Sequence, residues 1–105
     1  MNPKKGILLQ ITQRIRSVEP DARIILYGSY ARGDEKKDSD IDLLILVNRK
    51  KVTFQDEKKI SFPLYDLEFD TGHIISPLIL SLNDWNGRHR ITPFYESVQS
   101  EGIEL

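Results

Sequence analysis

The spacing of apolar residues changes along the chain, and these changes predict helices interleaved with strands. Four apolar residues recur at helical spacing near the N-terminus: Ile7, Ile11, Ile15 and Val18. This spacing predicts an amphipathic helix from about Pro3 to Val18, with Asn2 as its cap. The stretches "ARIILYGS" (22–29) and "DIDLLILV" (40–47) are rich in aliphatic residues instead and are typical of buried strands. We expect these two strands to pair as a hairpin with a long connection.

A second helix and a third strand follow. Thr53 and Asp56 form a T-x-x-D capping pattern that opens a helix running toward Gly72. Pro63 within it predicts a kink, or a restart with Ser61 as cap. The stretch "HIISPLILS" (73–81) then predicts a strand, and its proline favours an edge position because proline cannot donate to a ladder.

The C-terminal part predicts two short helices. Ser81 with Asp84 repeats the capping pattern, and Thr92-Pro93 opens a helix that Gly102 would end. The last residues, "IEL", are expected to add an edge strand or to pack as a tail. Together these elements predict an α+β (α/β-like) fold, a small mixed β-sheet flanked by helices, in a single domain over residues 1–105.

Composition narrows the possible partners. Fifteen basic and sixteen acidic residues give a net charge of −1, so no whole-protein field favours nucleic acid or an anionic membrane. Cysteine is absent, which excludes disulfides and thiolate metal sites and is compatible with a reducing compartment. Nothing near the N-terminus has the pattern of a signal peptide or a membrane span. We expect a cytoplasmic protein that makes no membrane contact.

Two aspartates at the start of the second strand are the first candidates for chemistry. Asp40 and Asp42 are two positions apart, so in a strand their side chains share a face with Cα atoms about 6.5 to 7 Å apart. The apolar run that follows them indicates a central strand. Two like charges beside a core require a proton or a cation between them. Carboxylate oxygens without cysteine or paired histidines favour Mg²⁺ or Mn²⁺.

A glycine turn after the first strand is the second candidate. Gly28 permits close backbone approach, and Ser29 adds a hydroxyl and an N–H group that could meet a phosphate if a helix begins there. Arg32 could add a charged contact to the same anion. Each feature alone is weak, because most glycines after strands only form turns and the stretch "GDEKKDSD" (33–40) fits a solvated loop. A strand, a Gly-Ser turn, Arg-Gly and then Ser-Asp-Ile-Asp before an apolar run form a far more specific combination than any one of these features.

These residues resemble the minimal nucleotidyltransferases of the DNA polymerase beta superfamily. The family signature is a Gly-Ser turn, commonly within G-S-x-A-R-G, followed by S-D-x-D and an apolar strand. It is present here from Gly28 to Gly33 and from Ser39 to Asp42. The resemblance implies that Asp40 and Asp42 hold Mg²⁺ and that Gly28 and Ser29, with Arg32 and Ser39, bind a nucleoside triphosphate.

The chain departs from the family pattern at one position. Active members usually carry a third carboxylate on the next long strand, and the aligned position here is Ser76. Serine cannot replace a carboxylate as a base. Glu68 and Asp70 lie nearby in sequence and are the alternatives for a third acid, although the end of the second helix is where they would be expected to be solvated.

Two functions stay open on this basis. The first is a Mg²⁺-dependent nucleotidyltransferase that transfers a nucleoside monophosphate, AMP from ATP by preference, to a hydroxyl of a partner protein. The second is a nucleotide-binding or partner-neutralising module with little turnover. The resemblance further implies a small helical partner of the HEPN type, with this chain as antitoxin of a toxin-antitoxin pair.

Other surfaces and residues give weaker indications. Trp85, Phe94 and Tyr95 could form a contact surface but are expected to close the core. A homodimer could form through an edge strand near Ile103.

Nucleic-acid binding and histidine chemistry have less support still. The basic clusters "NRKK" (48–51) and "GRHR" (87–90) lack interleaved stacking aromatics, so nucleic acid is an unlikely partner. His73 and His89 are too far apart in sequence to indicate a histidine metal site or a catalytic triad.

Overall fold

The computed structural model describes residues 3–105 and the side chains of residues 6–105. The elements in chain order are α1 (Pro3–Val18), β1 (Arg23–Tyr27), α2 (Ser29–Arg32), β2 (Ile41–Val47), α3 (Phe54–Thr71), β3 (Ile75–Ser81), α4 (Leu82–Asn86), a 3₁₀ helix (Arg88–Ile91), α5 (Pro93–Glu101) and β4 (Ile103–Glu104). The α+β fold is as the sequence predicts. The expected cap Asn2 lies outside the described residues.

The four strands form one mixed sheet in the order β3-β2-β1-β4. β1 runs antiparallel to both β2 and β4, and β2 runs parallel to β3. The expected pairing of the first two strands and the edge position of β3 are therefore confirmed. The central position of β2 explains its composition, since a strand covered on both faces needs apolar side chains on both.

Helices cover both faces of the sheet. On one face, α1 and α3 pack against Ile41, Leu43 and Ile45 of β2. On the other face, Leu44 and Leu46 pack with residues of α4 and α5, and Trp85 is the central side chain of that layer. Phe94 and Tyr95 pack around the tryptophan, so these aromatics close the core as expected. Side chains alternate between the two layers along β2, which places Asp42 on the tryptophan face.

α3 is a single continuous helix. The Thr53 hydroxyl accepts from the Asp56 N–H and the Asp56 carboxylate accepts from the Thr53 N–H, so the capping box is confirmed. The restart at Ser61 is wrong, because the helix continues through Pro63 to Thr71. Proline removes one backbone hydrogen bond. The buried side chains on both sides of it, Ile60 and Leu64, hold the helix against the sheet across that point.

The ends of the other helices agree with the capping patterns. The Ser81 hydroxyl accepts from the Asp84 N–H and opens α4, and the Thr92 hydroxyl caps α5 in the same way. The final residues form the short edge strand β4. Among residues 3–105, no helix is both long enough and apolar enough to cross a membrane.

Candidate functional site

Three neighbouring strands each place one side chain at the same end of the sheet, where β1 ends and β2 and β3 begin. Tyr27 at the end of β1 is opposite Asp42 of β2, and Asp42 is opposite Ser76 of β3. Asp40 immediately precedes β2, and the Ser76 hydroxyl donates to its Oδ2 at 3.5 Å. The two acids predicted from the sequence are therefore both neighbours of Ser76. Asp40 is exposed, whereas Asp42 is half-buried.

Gly28 provides the space that the Asp42 carboxylate occupies. Its φ of 75° is in the left-handed region that side chains rarely adopt, and it begins the single turn of α2. A Cβ atom at this position would collide with Oδ2 of Asp42 and lie 3.3 Å from its Cγ. Glycine is required at this position for two reasons: it adopts the positive φ readily, and it has no side chain to collide with Asp42. The glycine turn and the acid pair are one structural unit.

Replacing Gly28 by alanine tests this unit. Gly28→Ala is expected to destabilise the fold by about 1–3 kcal/mol, because the new methyl group adds strain at a positive φ and displaces Asp42. Gly33→Ala is a matched control, since Gly33 has a φ of 79° but its Cβ would meet nothing within 4 Å. Chemical denaturation of both variants measures the difference. Equal losses would show that the contact with Asp42 contributes nothing.

The ionisation of Asp42 is unfavourable in the folded chain. Burial raises the pKa of this carboxyl above its usual range, the negative charge of Asp40 raises it further, and the positive charge of Arg32 offsets part of the effect. Asp42 in turn adds to the effect of burial in raising the pKa of Tyr27. A site that penalises its own negative charge is suited to a cation, which would remove the penalty.

Asp42→Asn is therefore expected to stabilise the metal-free fold at neutral pH. A group with a raised folded pKa contributes its stability below the unfolded value, about 3.9 for aspartate, and loses it as pH rises through the folded pKa. The variant should melt a few degrees higher than the wild type at pH 7. The difference should shrink as the pH falls toward 4. Melting curves in chelator across this range check it, and an unchanged or lower melting temperature at pH 7 would contradict it.

Two of the residues predicted to bind phosphate, Arg32 and Ser39, already have partners within the chain. Arg32 pairs with Asp34 at 3.3 Å and with Glu101 of α5 at 3.5 Å. The Ser39 hydroxyl accepts from the Lys36 N–H at 2.8 Å and closes the loop before Asp40. Ser29 is half-buried at the first position of α2, where helix N–H groups have no partner within the helix.

The structure does not bring a third acid to the pair. Glu68 lies on α3, and its Oε2 accepts from the Ile75 N–H at 3.0 Å. α3 packs on the opposite face of the sheet from Asp42, so the sheet separates them. Asp70 is exposed on the same helix. Within the described residues, no group of three acidic, histidine or cysteine side chains could hold a metal ion.

Tyr27 is a neighbour of the site that the sequence analysis missed. Its ring contacts Phe94 edge-to-face with centroids 5.2 Å apart, which ties the acid pair to α5. The signal was present in the sequence, because Tyr27 immediately precedes Gly28 at the end of a strand that pairs with β2. Its identification required the register of the pairing.

Two cavities differ in their relation to the acids. One of about 400 Å³ lies between the loop before Asp40 and the loop between α3 and β3, and is lined by Lys37, Ser39 and His73 among others. Another of about 510 Å³ is lined by Asn48, Lys50 and neighbouring residues at the far end of β2. The first is lined by residues that precede Asp40 in the chain, but neither Asp40 nor Asp42 lines either cavity.

Arg49, Arg88 and His89 of the basic clusters make contacts within the fold. Arg49 of the first cluster pairs with Glu19 and Asp56 and joins the end of α1 to the start of α3. Arg88 of the second pairs with Asp84, and His89 stacks on Trp85. One arginine of each cluster is therefore held by acidic side chains of the same chain.

A mixed four-stranded sheet with a Gly-Ser turn at the end of β1 and two aspartates at the start of β2 defines a minimal nucleotidyltransferase domain of the polymerase beta superfamily. Comparison with known proteins agrees. The chain matches the nucleotidyltransferase domain family over residues 8–80. It is 37% identical over 84 residues to a protein of Methanocaldococcus jannaschii named "Putative protein adenylyltransferase", an alignment that spans 79% of this chain and 77% of that protein. The chain therefore belongs to the nucleotidyltransferase domain family.

Solved structures support the fold. A toxin-antitoxin complex with AMP-PNP superposes with a TM-score of 0.64 at 17% identity, covering 91% of this chain and 69% of that one. A variant of the toxin-antitoxin pair MntA-HpeT superposes with a TM-score of 0.61 at 15% identity, covering 99% of this chain and 71% of that one. At these identities the likeness concerns the fold.

Proposed function

We propose that this nucleotidyltransferase transfers AMP from ATP to a hydroxyl group of a partner protein in a Mg²⁺-dependent reaction. The observation that carries the proposal is the contact between Asp42 and Gly28, because it unites the candidate metal ligands with the candidate phosphate-binding turn. The name of the Methanocaldococcus jannaschii relative supports a protein acceptor. The nucleotide in one similar structure supports an adenosine triphosphate substrate.

The residues present fit a magnesium ion. Mg²⁺ prefers oxygen ligands and is commonly held by one or two carboxylates together with substrate phosphates. Asp40 and Asp42 supply the carboxylates. Burial and the charge of Asp40 raise the pKa of Asp42, and Arg32 offsets only part of this rise, which supports a cation at the pair. When bound, Mg²⁺ would neutralise charge on the triphosphate. Mn²⁺ would satisfy the same oxygen ligands.

The chain's own residues would contribute position and charge. The Gly28-Ser29 turn would bind the β and γ phosphates through its N–H groups and the Ser29 hydroxyl. Arg32 would exchange Asp34 or Glu101 for a phosphate oxygen, which is feasible because both ion pairs are exposed. The acceptor oxygen would then attack the α-phosphorus, pyrophosphate would leave, and the acceptor proton would pass to water. Such a reaction depends mostly on positioning and charge neutralisation.

The partner is proposed from two sources. Two similar structures are toxin-antitoxin complexes. The resemblance noted in the sequence implies a helical HEPN-type toxin as the partner. In that arrangement the present chain would be the antitoxin and a hydroxyl of the toxin would accept AMP.

Ser76 favours a second candidate function. The position opposite Asp42 on β3 holds a hydroxyl where active relatives are expected to hold a carboxylate. Nucleotide binding requires only the acid pair and the glycine turn, whereas deprotonation of the acceptor benefits from the missing base. The second candidate is therefore a nucleotide-binding module that neutralises its partner by contact with little turnover.

Transfer of label separates the two candidates. The protein is incubated with α-labelled ATP, Mg²⁺ and a helical partner protein, and label on the partner is measured. The proposal predicts label that requires Mg²⁺ and is lost in Asp42→Ala. Binding of ATP and partner without any label would favour the contact mechanism. Label that persists in Asp42→Ala would contradict the proposal that the acid pair binds Mg²⁺ and supports AMP transfer.

A further inference from the structure

The outer face of α3 carries a row of exposed aromatic side chains. Phe54, Phe62, Tyr65 and Phe69 recur at helical spacing and are 67%, 57%, 52% and 92% exposed. The buried residues of the same helix, Ile60, Leu64 and Leu67, are on the opposite side. We call these four residues the α3 aromatic row. It is separate from the core and from the acid pair.

The row is at the upper end of the apolar patches that monomers expose, and patches of this size are often functional. Four aromatic side chains at these exposures leave on the order of 500 Å² of apolar surface on one helix. Monomeric soluble proteins rarely expose a contiguous apolar patch larger than a few hundred Å². A standard interface buries about 800 Å² on each partner, so the row would supply a large part of one.

The neighbouring sheet edge does not favour strand pairing. Backbone groups alternate in direction along a strand, and the Ile74 carbonyl accepts from Ile41 of β2. Ile75, Pro77 and Ile79 therefore direct their backbone groups away from the sheet. Glu68 already accepts from the Ile75 N–H, and Pro77 has none to donate. The interface at this side is expected to use side chains of the helix rather than β-augmentation.

The charges along α3 make this face complementary to itself. Lys58 lies in the N-terminal half, with its ammonium group 4.4 Å from the centre of the Phe54 ring. Asp66 and Asp70 lie in the C-terminal half and are exposed. Two copies of α3 packed antiparallel about Phe62 would place Lys58 of each copy beside Asp66 of the other. The helix dipoles would also be opposed, which is favourable.

We propose that the α3 aromatic row is the interface of a homodimer in which two α3 helices pack antiparallel about Phe62. Both ends of the interface are then equivalent, as a two-fold axis requires. Phe54 of one chain meets the Phe69 end of the other, and Lys58 of each helix faces the acidic C-terminal half of its partner. The acid pair stays outside this interface because Asp42 is on the opposite face of the sheet.

A charge exchange tests the proposal. Sedimentation equilibrium of the full chain over a range of concentrations should show a monomer–dimer equilibrium. Lys58→Glu and Asp66→Lys should each raise the dissociation constant about tenfold or more, because each places like charges together at both ends. The double variant should return close to the wild-type value. Residues 58 and 66 are about 12 Å apart along one helix, so a rescue reports a contact between chains.

Two further variants act as a matched pair. Phe69→Ser removes an aromatic from the row, whereas Ile91→Ser changes a side chain of equal exposure, 91%, on the 3₁₀ helix. Only the first should weaken the dimer. A wild-type chain that stays monomeric at every concentration would overturn the proposal, as would single charge variants that dimerise normally. Loss of the dimer in Ile103→Lys with no effect of the α3 variants would place the interface at β4 and overturn it too.

Discussion

Asp42→Asn is expected to lower the rate of AMP transfer by about 100- to 1000-fold, the loss typical of removing one strong electrostatic contact from a transition state. Asparagine has the size of aspartate and still fits above Gly28, where any side chain on residue 28 would collide. What it removes is the negative charge on the half-buried member of the pair. Transfer should fall while the fold becomes no less stable, which separates a loss of chemistry from a loss of structure.

The matched control is Asp38→Asn. Asp38 is an exposed acid in the loop before the pair, so its substitution changes the net charge of the chain equally. Initial rates at saturating ATP and Mg²⁺ measure both variants, with circular dichroism as the check on folding. If Asp42→Asn and Asp38→Asn retain similar activity, Asp42 has no catalytic role.

Ser76→Asp is expected to raise the transfer rate about 100-fold or more, the lower end of the usual contribution of a positioned general base. Ser76 is opposite Asp42 in the sheet and already reaches the Asp40 carboxylate at 3.5 Å. A carboxylate at this position would join the other two and would be able to accept the proton of the attacking hydroxyl. Without metal, the third negative charge should destabilise the fold, and Mg²⁺ should reverse that effect.

Ser76→Asn controls for side-chain size, because it resembles aspartate in shape but carries no charge. Only the aspartate variant should gain activity, and its gain should depend on Mg²⁺. Labelled transfer and melting temperature, each measured with Mg²⁺ and with chelator, provide the comparison. Equal rates for the two variants would show that Ser76 is not the position of a missing acid.

The elements could be predicted from the sequence because each carries a local signal. The period of the apolar residues located α1, and the apolar runs located β1 and β2. The hydroxyl caps Thr53, Ser81 and Thr92 located three helix starts. The restart predicted at Ser61 was wrong, because burial of the residues on both sides of Pro63 outweighs the local preference of proline to break a helix.

The combination of the glycine turn and the two aspartates was also visible in the sequence. The contacts that these residues make in the fold were not. The position of Asp42 above Gly28 depends on the register of β1 against β2, which sets which side chains meet. The ion pair of Arg32 with Glu101 joins residues far apart in the chain. Glu68 is excluded as a third acid because its helix packs on the opposite face of the sheet from Asp42. No local sequence pattern encodes which face a helix covers.

The same limitation applies to the α3 aromatic row. In the sequence, its aromatics and the buried aliphatic residues of α3 both recur at helical spacing, so periodicity alone does not identify the inward face. Packing assigns that face to Ile60, Leu64 and Leu67 and leaves the aromatics exposed. The surface proposed for self-association became visible only in three dimensions.

The central claim is that the two aspartates and the glycine turn form one magnesium–nucleotide site. Calorimetric titration of the protein with a non-hydrolysable ATP analogue tests it most directly, because binding does not depend on the acceptor or on turnover. The account predicts binding that requires Mg²⁺, is abolished by Asp42→Asn and is weakened by Gly28→Ala. Binding of equal strength in chelator, or unchanged binding in Asp42→Asn, would contradict it.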